Sequence, residues 1–405
     1  MAKIKPFRAL RPVSEKARSV SSVPYDVIHD EAEVRAFIAT NPLSFLRITR
    51  ADVEADLSDE ECMVRARNNL TDLIDSHTLI LDDEPAYYAY RLKGGDHTQI
   101  GIVACCSLEE YEKGKIKKHE KTRPDKVADR TRHMLELRAQ TGLIFLAYRG
   151  TEAINQLVEE AMQADPLYDF VCDTGVSQTV WKIRDTEAIT SAFDDVPALY
   201  IADGHHRIES ALRARNEIQR KETNGNGEGS YNYVMAGLFP AEQLKILAYN
   251  RVVKDLEHLS DQDILAGIEK NFSVAEADRS VPETHGEICM YLSGKWYDLQ
   301  LDVNLLKNPD PIEGLDVSIL QHYILEPVLG IADPSTDKRI KFVGGILGTG
   351  ELQRMVDAGD ARIAFSLYPT TMDDLFAVSD MGEVMPPKST WFEPKLKDGL
   401  FVHLI

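Results

Sequence analysis

Asp203, Gly204, His205, His206 and Arg207 are consecutive, and they stand where an apolar run, ALYIA, gives way to the helical pattern IESALRARNEI. Two imidazoles and a guanidinium can hold phosphate oxygens through charge-assisted hydrogen bonds. A helix N-terminus adds N–H donors and the positive end of a dipole, and a glycine lets the backbone come close to an anion. Asp203 can ligate Mg²⁺ or orient a histidine. The chemistry of this set is phosphate binding. The plainer alternative is a strand-to-helix turn with Asp203 as N-cap and the histidines exposed. Joint metal binding by His205 and His206 is disfavoured because they are adjacent in the chain.

A second cluster lies at Lys117, Lys118, His119, Glu120, Lys121, Thr122 and Arg123. With Lys113 and Lys115 it concentrates positive charge in a chain whose 46 Lys and Arg face 66 Asp and Glu, a net charge of −20. Such a patch attracts a small anionic ligand, so His119, Lys121 and Arg123 join the candidate phosphate or nucleotide set. Glu120, among cations, stays a carboxylate and can act as general base on a hydroxyl nucleophile. A solvated charged loop is the alternative. Val23-Pro24-Tyr25-Asp26, followed by His29 and Asp30, reads as a turn with Asp26 as a cap. Near the C-terminus, Lys388, Ser389, Thr390, Trp391 and Phe392 offer an ammonium, hydroxyls and aromatics suited to closing over a ligand, or to docking the segment by its rings.

Several chemistries are excluded. The acidic balance argues against a generic polyanion binder, and no helix-turn-helix pattern is present, so a nucleic-acid partner is not expected. Gly344 to Gly350 is glycine-rich, but Glu351 stands where a P-loop needs lysine. No G-x-S-x-G or H-E-x-x-H pattern occurs. The five cysteines, Cys62, Cys105, Cys106, Cys172 and Cys289, have no metal or redox spacing and read as packed thiols. Alternation in GIVACCSL should bury one of Cys105 and Cys106. No segment reaches the roughly 18–20 apolar residues of a membrane span, and MAKIKPFRAL does not resemble a signal peptide, so a cytoplasmic location and no membrane partner are expected.

The elements that must carry these residues follow from patterning. Helices are expected over 31–41, over 58–75 with a Ser58/Glu61 capping box, over 124–140, 152–162, 186–193 and 208–221, and later over 316–328 and 351–357. Hairpins are expected at 87–105 around Gly94-Gly95, and at 287–301. Strands are expected at 198–202 and in YNYVMAGLF, KILAYNRVV and ARIAFSLY. The low-complexity tract ETNGNGEGS reads as a mobile loop. Three blocks result: an N-terminal α+β region over 1–107, a core over 108–255 and a C-terminal α+β region over 256–405. The fold class is α/β or α+β, with mixed sheets and helices.

The motifs PFRALRP, VPYDV, KKHEKTRPDKVADR, YIADGHHR, LAYNRVV and MPPKSTWFEPK span nearly the whole chain. On them it resembles domain-of-unknown-function family 1015, often labelled ParB-like or SpoOJ-like. ADGHHR after a strand is similar to the phosphate-binding motif of the ParB/sulfiredoxin-like fold, and in particular of its free serine kinases. The resemblance implies a nucleotide-binding core over the middle block. It also implies a phosphotransferase using ATP or ADP with Mg²⁺, acting on a small hydroxyl metabolite, with free L-serine, or O-phosphoserine in reverse, as the first guess. Asp203, Gly204, His205, His206 and Arg207 would then serve phosphate and metal, with Asp203 and His206 catalytic. Glu120 would be the base, and Tyr25, Asp26, Lys388 and Thr390 would serve the substrate. A nucleotide-binding switch module without turnover, or a phosphatase using the same site, are the alternative readings.

Overall fold

The computed structural model describes all residues except 1, 29, 55–56, 222–228, 257, 306 and 308–309. His29 and most of the ETNGNGEGS tract therefore lie outside the described residues. The rest forms two compact units: one of Met1–Lys117, Thr122–Leu244 and Pro394–Ile405, the other of Lys118–Lys121 and Lys245–Glu393. Both units are discontinuous in sequence, unlike the three consecutive blocks that patterning suggests. The class is mixed α/β.

The first unit is built on a nine-stranded mixed sheet. Its strands are β1 (Ile4–Lys5), β2 (Tyr87–Gly94), β3 (His97–Ser107), β4 (Ile116–Lys117), β5 (Ile144–Tyr148), β6 (Tyr168–Val171), β7 (Ser177–Ile183), β8 (Leu199–Asp203) and β9 (Tyr233–Pro240). The spatial order is β4-β8-β5-β9-β3-β2-β7-β6, with β1 also on β3. Only β4/β8 and β5/β9 are parallel pairs. Central β5, IFLAY, is buried at every residue, as expected of a continuous apolar run with both sheet faces covered. The same coverage buries both Cys105 and Cys106 completely, where alternation alone suggested one. Strand β3 is interior, flanked by β2 and β9, and is buried from Gly101 to Ser107.

Three helices of this unit bear on the site. Helix α1 (Asp59–Asp75) has the expected capping box, Ser58 with Glu61. Helix α2 (Pro124–Leu137) has proline in its first turn, and it stops before the expected residue 140 because Arg138 turns left-handed at φ 50°. Ala139–Gln140 then pair with His403–Leu404 as a short ladder. Helix α3 (His205–Lys221) begins three residues before the apolar pattern predicts. That places His205, His206 and Arg207 inside its first turn. Helix α3 lies against α2, where Ser210 Oγ donates to Val127 O at 3.1 Å and small Ala211 and Ala214 are buried.

The second unit has an antiparallel six-stranded sheet of β10 (Tyr249–Val253), β11 (Phe272–Glu276), β12 (Glu287–Leu292), β13 (Lys295–Leu301), β14 (Ile340–Gly344) and β15 (Ile363–Leu367), in the order β11-β13-β12-β15-β10-β14. KILAYNRVV is two strands, not one. Ile246–Leu247 pair with Trp391–Phe392, while β10 enters the main sheet. The expected helix over 316–328 is a short α segment, Asp316–Leu320, followed by a π turn. A helix at Met372–Asp380, capped by Thr371 and Asp374, is an addition that patterning did not supply. Among the described residues no helix is long and apolar enough to cross a membrane.

Candidate functional site

The polar end of β8 is where chemistry gathers in the first unit. The register between β8 and β5 shifts between Ile201 and Asp203, so that Asp203 stands opposite Phe145. An irregularity of this kind at a strand end re-aims the side chain that follows it. Gly204 then turns the chain at φ +97°, a conformation that a side chain rarely adopts, and a Cβ there would lie 3.4 Å from the Ile144 backbone. Helix α3 starts at once, with Arg207 N and Ile208 N both donating to Gly204 O at 2.9 and 3.1 Å. These two N–H groups are thereby taken up within the turn, and the positive end of the α3 dipole lies at the strand-to-helix junction.

Around this junction Asp203, His206 and Arg207 each have a defined partner. Asp203 Oδ2 accepts from Lys395 Nζ at 2.7 Å. Burial works to raise the Asp203 pKa, but Lys395, Arg207 and His205 outweigh it and hold the carboxyl well below its usual range. His206 Nε2 accepts from Arg123 N at 3.0 Å and so caps the start of α2, which fixes the proton of a neutral ring on Nδ1. Arg207 is only 7% exposed, and donates from Nη1 to Leu143 O at 2.7 Å and from Nη2 to Asp26 Oδ1 at 3.3 Å. Burial opposes its charge, but Asp26, Asp398 and Asp203 more than offset that and keep it protonated. The Tyr25 ring lies against Arg130 at 4.3 Å and Arg207 at 5.5 Å. Burial, then Asp26, pushes its phenol up to about 12 against the pull of these two guanidinium groups.

Asp398 completes the set. It is 2% exposed, and its backbone pairs with Ser22 in both directions at 3.0 Å, tying the C-terminal segment to the chain just before Tyr25. Its carboxyl accepts from the Tyr25 N–H and faces Arg207, Asp26 and Arg130. Burial raises its pKa to about 7, with Asp26 adding to the rise and Arg207 reducing it. Gly142 is obligatory beside it, since a Cβ there would sit 2.6 Å from Asp398 Oδ1 and 3.5 Å from Arg207 Nε.

The sequence-derived candidates thus fall into two groups. Tyr25, Asp26, Arg123, Asp203, Gly204, His205, His206 and Arg207 belong to the first unit, and His119, Glu120, Lys121, Lys388 and Thr390 belong to the second. In the second unit His119 Nε2 lies 3.3 Å from Thr390 Oγ1, and His119 O accepts from Met385 N at 2.8 Å. Arg207, one of the expected phosphate ligands, is buried and bonded to Leu143 O and Asp26. Sequence reasoning missed Lys395 and Asp398. Lys395 ends the quoted motif MPPKSTWFEPK and was within reach, whereas nothing local marks Asp398.

The donor set does not fit a protein-held Mg²⁺. Among the described residues no group of three His, Cys, Asp or Glu side chains converges, and Asp203 is ion-paired with Lys395.

The architecture is mixed α/β, with a charged strand-to-helix junction at the end of β8. The chain belongs to the family described as Protein of unknown function (DUF1015), whose model matches residues 4–318. A search of curated proteins finds no match. Among solved structures it is similar to a free serine kinase variant in complex with AMP, at 12% identity and a TM-score of 0.37, over 74% of this chain and 92% of that one. It is also similar to SbnI with C-terminal truncation from Staphylococcus aureus, at 11% identity and a TM-score of 0.40, over 75% and 87%. A third is a conserved hypothetical protein from Pyrococcus furiosus, at 15% identity and a TM-score of 0.36, over 75% and 95%. Likeness at this level establishes neither a shared ligand nor a shared reaction.

Proposed function

We propose that the protein is a nucleotide-dependent phosphotransferase acting on a small hydroxyl metabolite, with free L-serine, or O-phosphoserine in the reverse direction, as the first acceptor to test. The observation that carries the reading is the junction at Asp203-Gly204-His205: a strand end, a glycine at φ +97° and a helix N-terminus, with Lys395 held beside it by Asp203. Phosphoryl transfer needs little covalent machinery, and positioning with charge neutralisation does most of the work.

In this reading the positive end of the helix dipole draws the phosphate oxygens to the first turn of α3. Lys395 supplies an ammonium, and Asp203 sets where it rests. His206, neutral and hydrogen-bonded to Arg123 N, fixes the start of α2 relative to α3. Arg207 holds Tyr25 and Asp26 in place. Glu120 is the proposed proton acceptor for the substrate hydroxyl, on the chemical ground that a carboxylate in a basic stretch stays ionised. Magnesium would arrive on the phosphates of the nucleotide, and no step is assigned to a protein-held ion.

The test incubates the protein with Mg²⁺ and ATP or ADP, with L-serine or O-phosphoserine added in turn, and follows phosphate by ³¹P NMR. Transfer is expected in one direction. Lys395→Met should weaken nucleotide binding about tenfold, the scale of one lost charge-assisted contact, whereas Glu120→Gln should spare binding and remove transfer. Nucleotide bound without turnover under every combination would replace the phosphotransferase by a binding module, and hydrolysis without an acceptor would make it a phosphatase.

A further inference from the structure

The second unit contains a buried cation that the junction does not use. Arg251, on β10, is 3% exposed. Its guanidinium donates to backbone carbonyls: from Nη2 to Lys388 O at 2.9 Å and Pro387 O at 3.4 Å, and from Nη1 to Tyr249 O. It also lies 5.0 Å from the Phe342 ring. Among the described residues no carboxylate pairs with it. Burial lowers its pKa to about 9, with Tyr249 acting the other way. A buried charge normally has a counter-charge, because removing an ion from water costs several kcal/mol in practice.

The carbonyls that Arg251 holds belong to a turn built with care. Lys388 is left-handed at φ +60°, and its ammonium lies 5.6 Å from the Tyr249 ring. Lys388 is exposed and, among the described residues, has no carboxylate partner either. Ser389 O accepts from Thr370 Oγ1 at 2.9 Å, and Ser389 Oγ donates to Pro386 O at 2.7 Å. Thr390 Oγ1 meets His119 Nε2 at 3.3 Å, so the basic stretch Lys118–Lys121 is fixed to the same turn. Trp391 stacks edge-on to Tyr249 at 5.3 Å, an approach that needs Gly344, where a Cβ would lie 2.7 Å from the indole. Elsewhere in this unit a groove of about 400 Å³ has its cations answered within the chain, Lys254 by Asp255 and Arg362 by Asp261. Among the described residues neither Arg251 nor Lys388 has such an answer, in a chain of net charge −20.

We propose that the Arg251–Lys388 cluster is a binding site for a small oxyanion group, the carboxylate or phosphate of a metabolite, taken by the Lys388 ammonium with Thr390 and His119 beside it. Arg251 is the positioning residue. It presents Lys388 by holding its carbonyl, and its uncompensated charge lowers the free energy of an anion at the surface above it. The inference does not depend on the reaction, and holds whether the protein transfers phosphate or only binds nucleotide.

The experiment titrates the full chain, without nucleotide, with inorganic phosphate, acetate and L-serine at constant ionic strength, by calorimetry. Saturable binding of phosphate or of a carboxylate is expected, and the pair of probes decides which. Lys388→Asn, which suits a left-handed backbone and removes only the ammonium, should weaken it at least tenfold at an unchanged melting temperature. Lys254→Met, in the groove of the same unit whose cations are already paired, should leave it unchanged, and Lys395→Met reports separately on any phosphate taken at the junction of the first unit. Arg251→Lys should weaken it as well if it folds, and Lys388→Asn decides the matter if it does not. Absence of saturable binding for all three probes, equal binding by Lys388→Asn, or loss in Lys395→Met alone would each overturn the proposal. The last would assign the anion to the junction of the first unit.

Discussion

Replacing Asp398 by asparagine tests the electrostatics of the first unit most directly. Asp398 is an acid whose pKa rises on folding to about 7, because burial and Asp26 disfavour its charge more than Arg207 favours it. The folded chain therefore keeps a proton that the unfolded chain releases near pH 4. The stabilisation from the neutral form is complete below that value and is lost as pH rises through about 7. Each unit of pH in this interval is worth about 1.4 kcal/mol, so the full span of about three units gives an upper bound near 4 kcal/mol. Asparagine mimics the neutral carboxyl and does not titrate. The stability of wild type minus that of Asp398→Asn should therefore fall by about 2–3 kcal/mol between pH 5 and pH 7, then level off above roughly pH 7.5. Taking the difference cancels other groups, such as His133 and His403, whose burial lowers their pKa values to about 4. Hydrogen exchange of β5 as a function of urea reads the first unit alone. A difference that does not change with pH, or that grows with it, would refute the assignment of a buried, proton-holding carboxyl beside Arg207.

Three further outcomes are expected. Gly204→Ala forces a side chain into φ +97° and toward the Ile144 backbone at 3.4 Å; it should cost about 1–3 kcal/mol in denaturant unfolding and weaken nucleotide binding, the strain of one unfavourable backbone conformation. His285 bonds Asp316 through Nδ1 at 2.5 Å and lies 3.4 Å from Asp374 through Nε2, and hydrogen bonds to these two carboxylates raise its pKa to about 10. Its contribution is complete below about pH 6.5 and is lost as pH rises through 10. With its side chain 42% exposed, His285→Gln should cost only about 1 kcal/mol at pH 8 after solvent screening, and less than that at pH 10.5, by calorimetric unfolding. Ser58→Ala removes the cap of α1 and should cost about 1 kcal/mol in urea unfolding, with no change in nucleotide binding.

Local rules determined much of this protein. Ser58 and Glu61 start α1, Pro124 starts α2, and the β2–β3 hairpin forms where expected with its turn one residue on, at Gly95-Asp96, because caps and turns act over a few residues. The cluster Asp203 to Arg207 was also legible, since strand end, glycine and helix start are contiguous in the chain. Tertiary structure decided the rest. Helix α3 begins at His205, not Ile208, and pairing of residues 139–140 with 403–404 ends α2 early, against the helical pattern. Arg207 reads as a phosphate ligand in sequence, yet it is directed inward by Leu143 O and by Asp26, 181 residues away. Lys395 and Asp398 acquire their roles only by meeting Asp203 and the Tyr25 segment from the far end of the chain. Arg251 looks like an ordinary strand residue until burial removes its solvent and sets backbone carbonyls and the Phe342 ring around it. Charge and desolvation depend on distance through space, and that distance is set by the packing of segments remote in sequence.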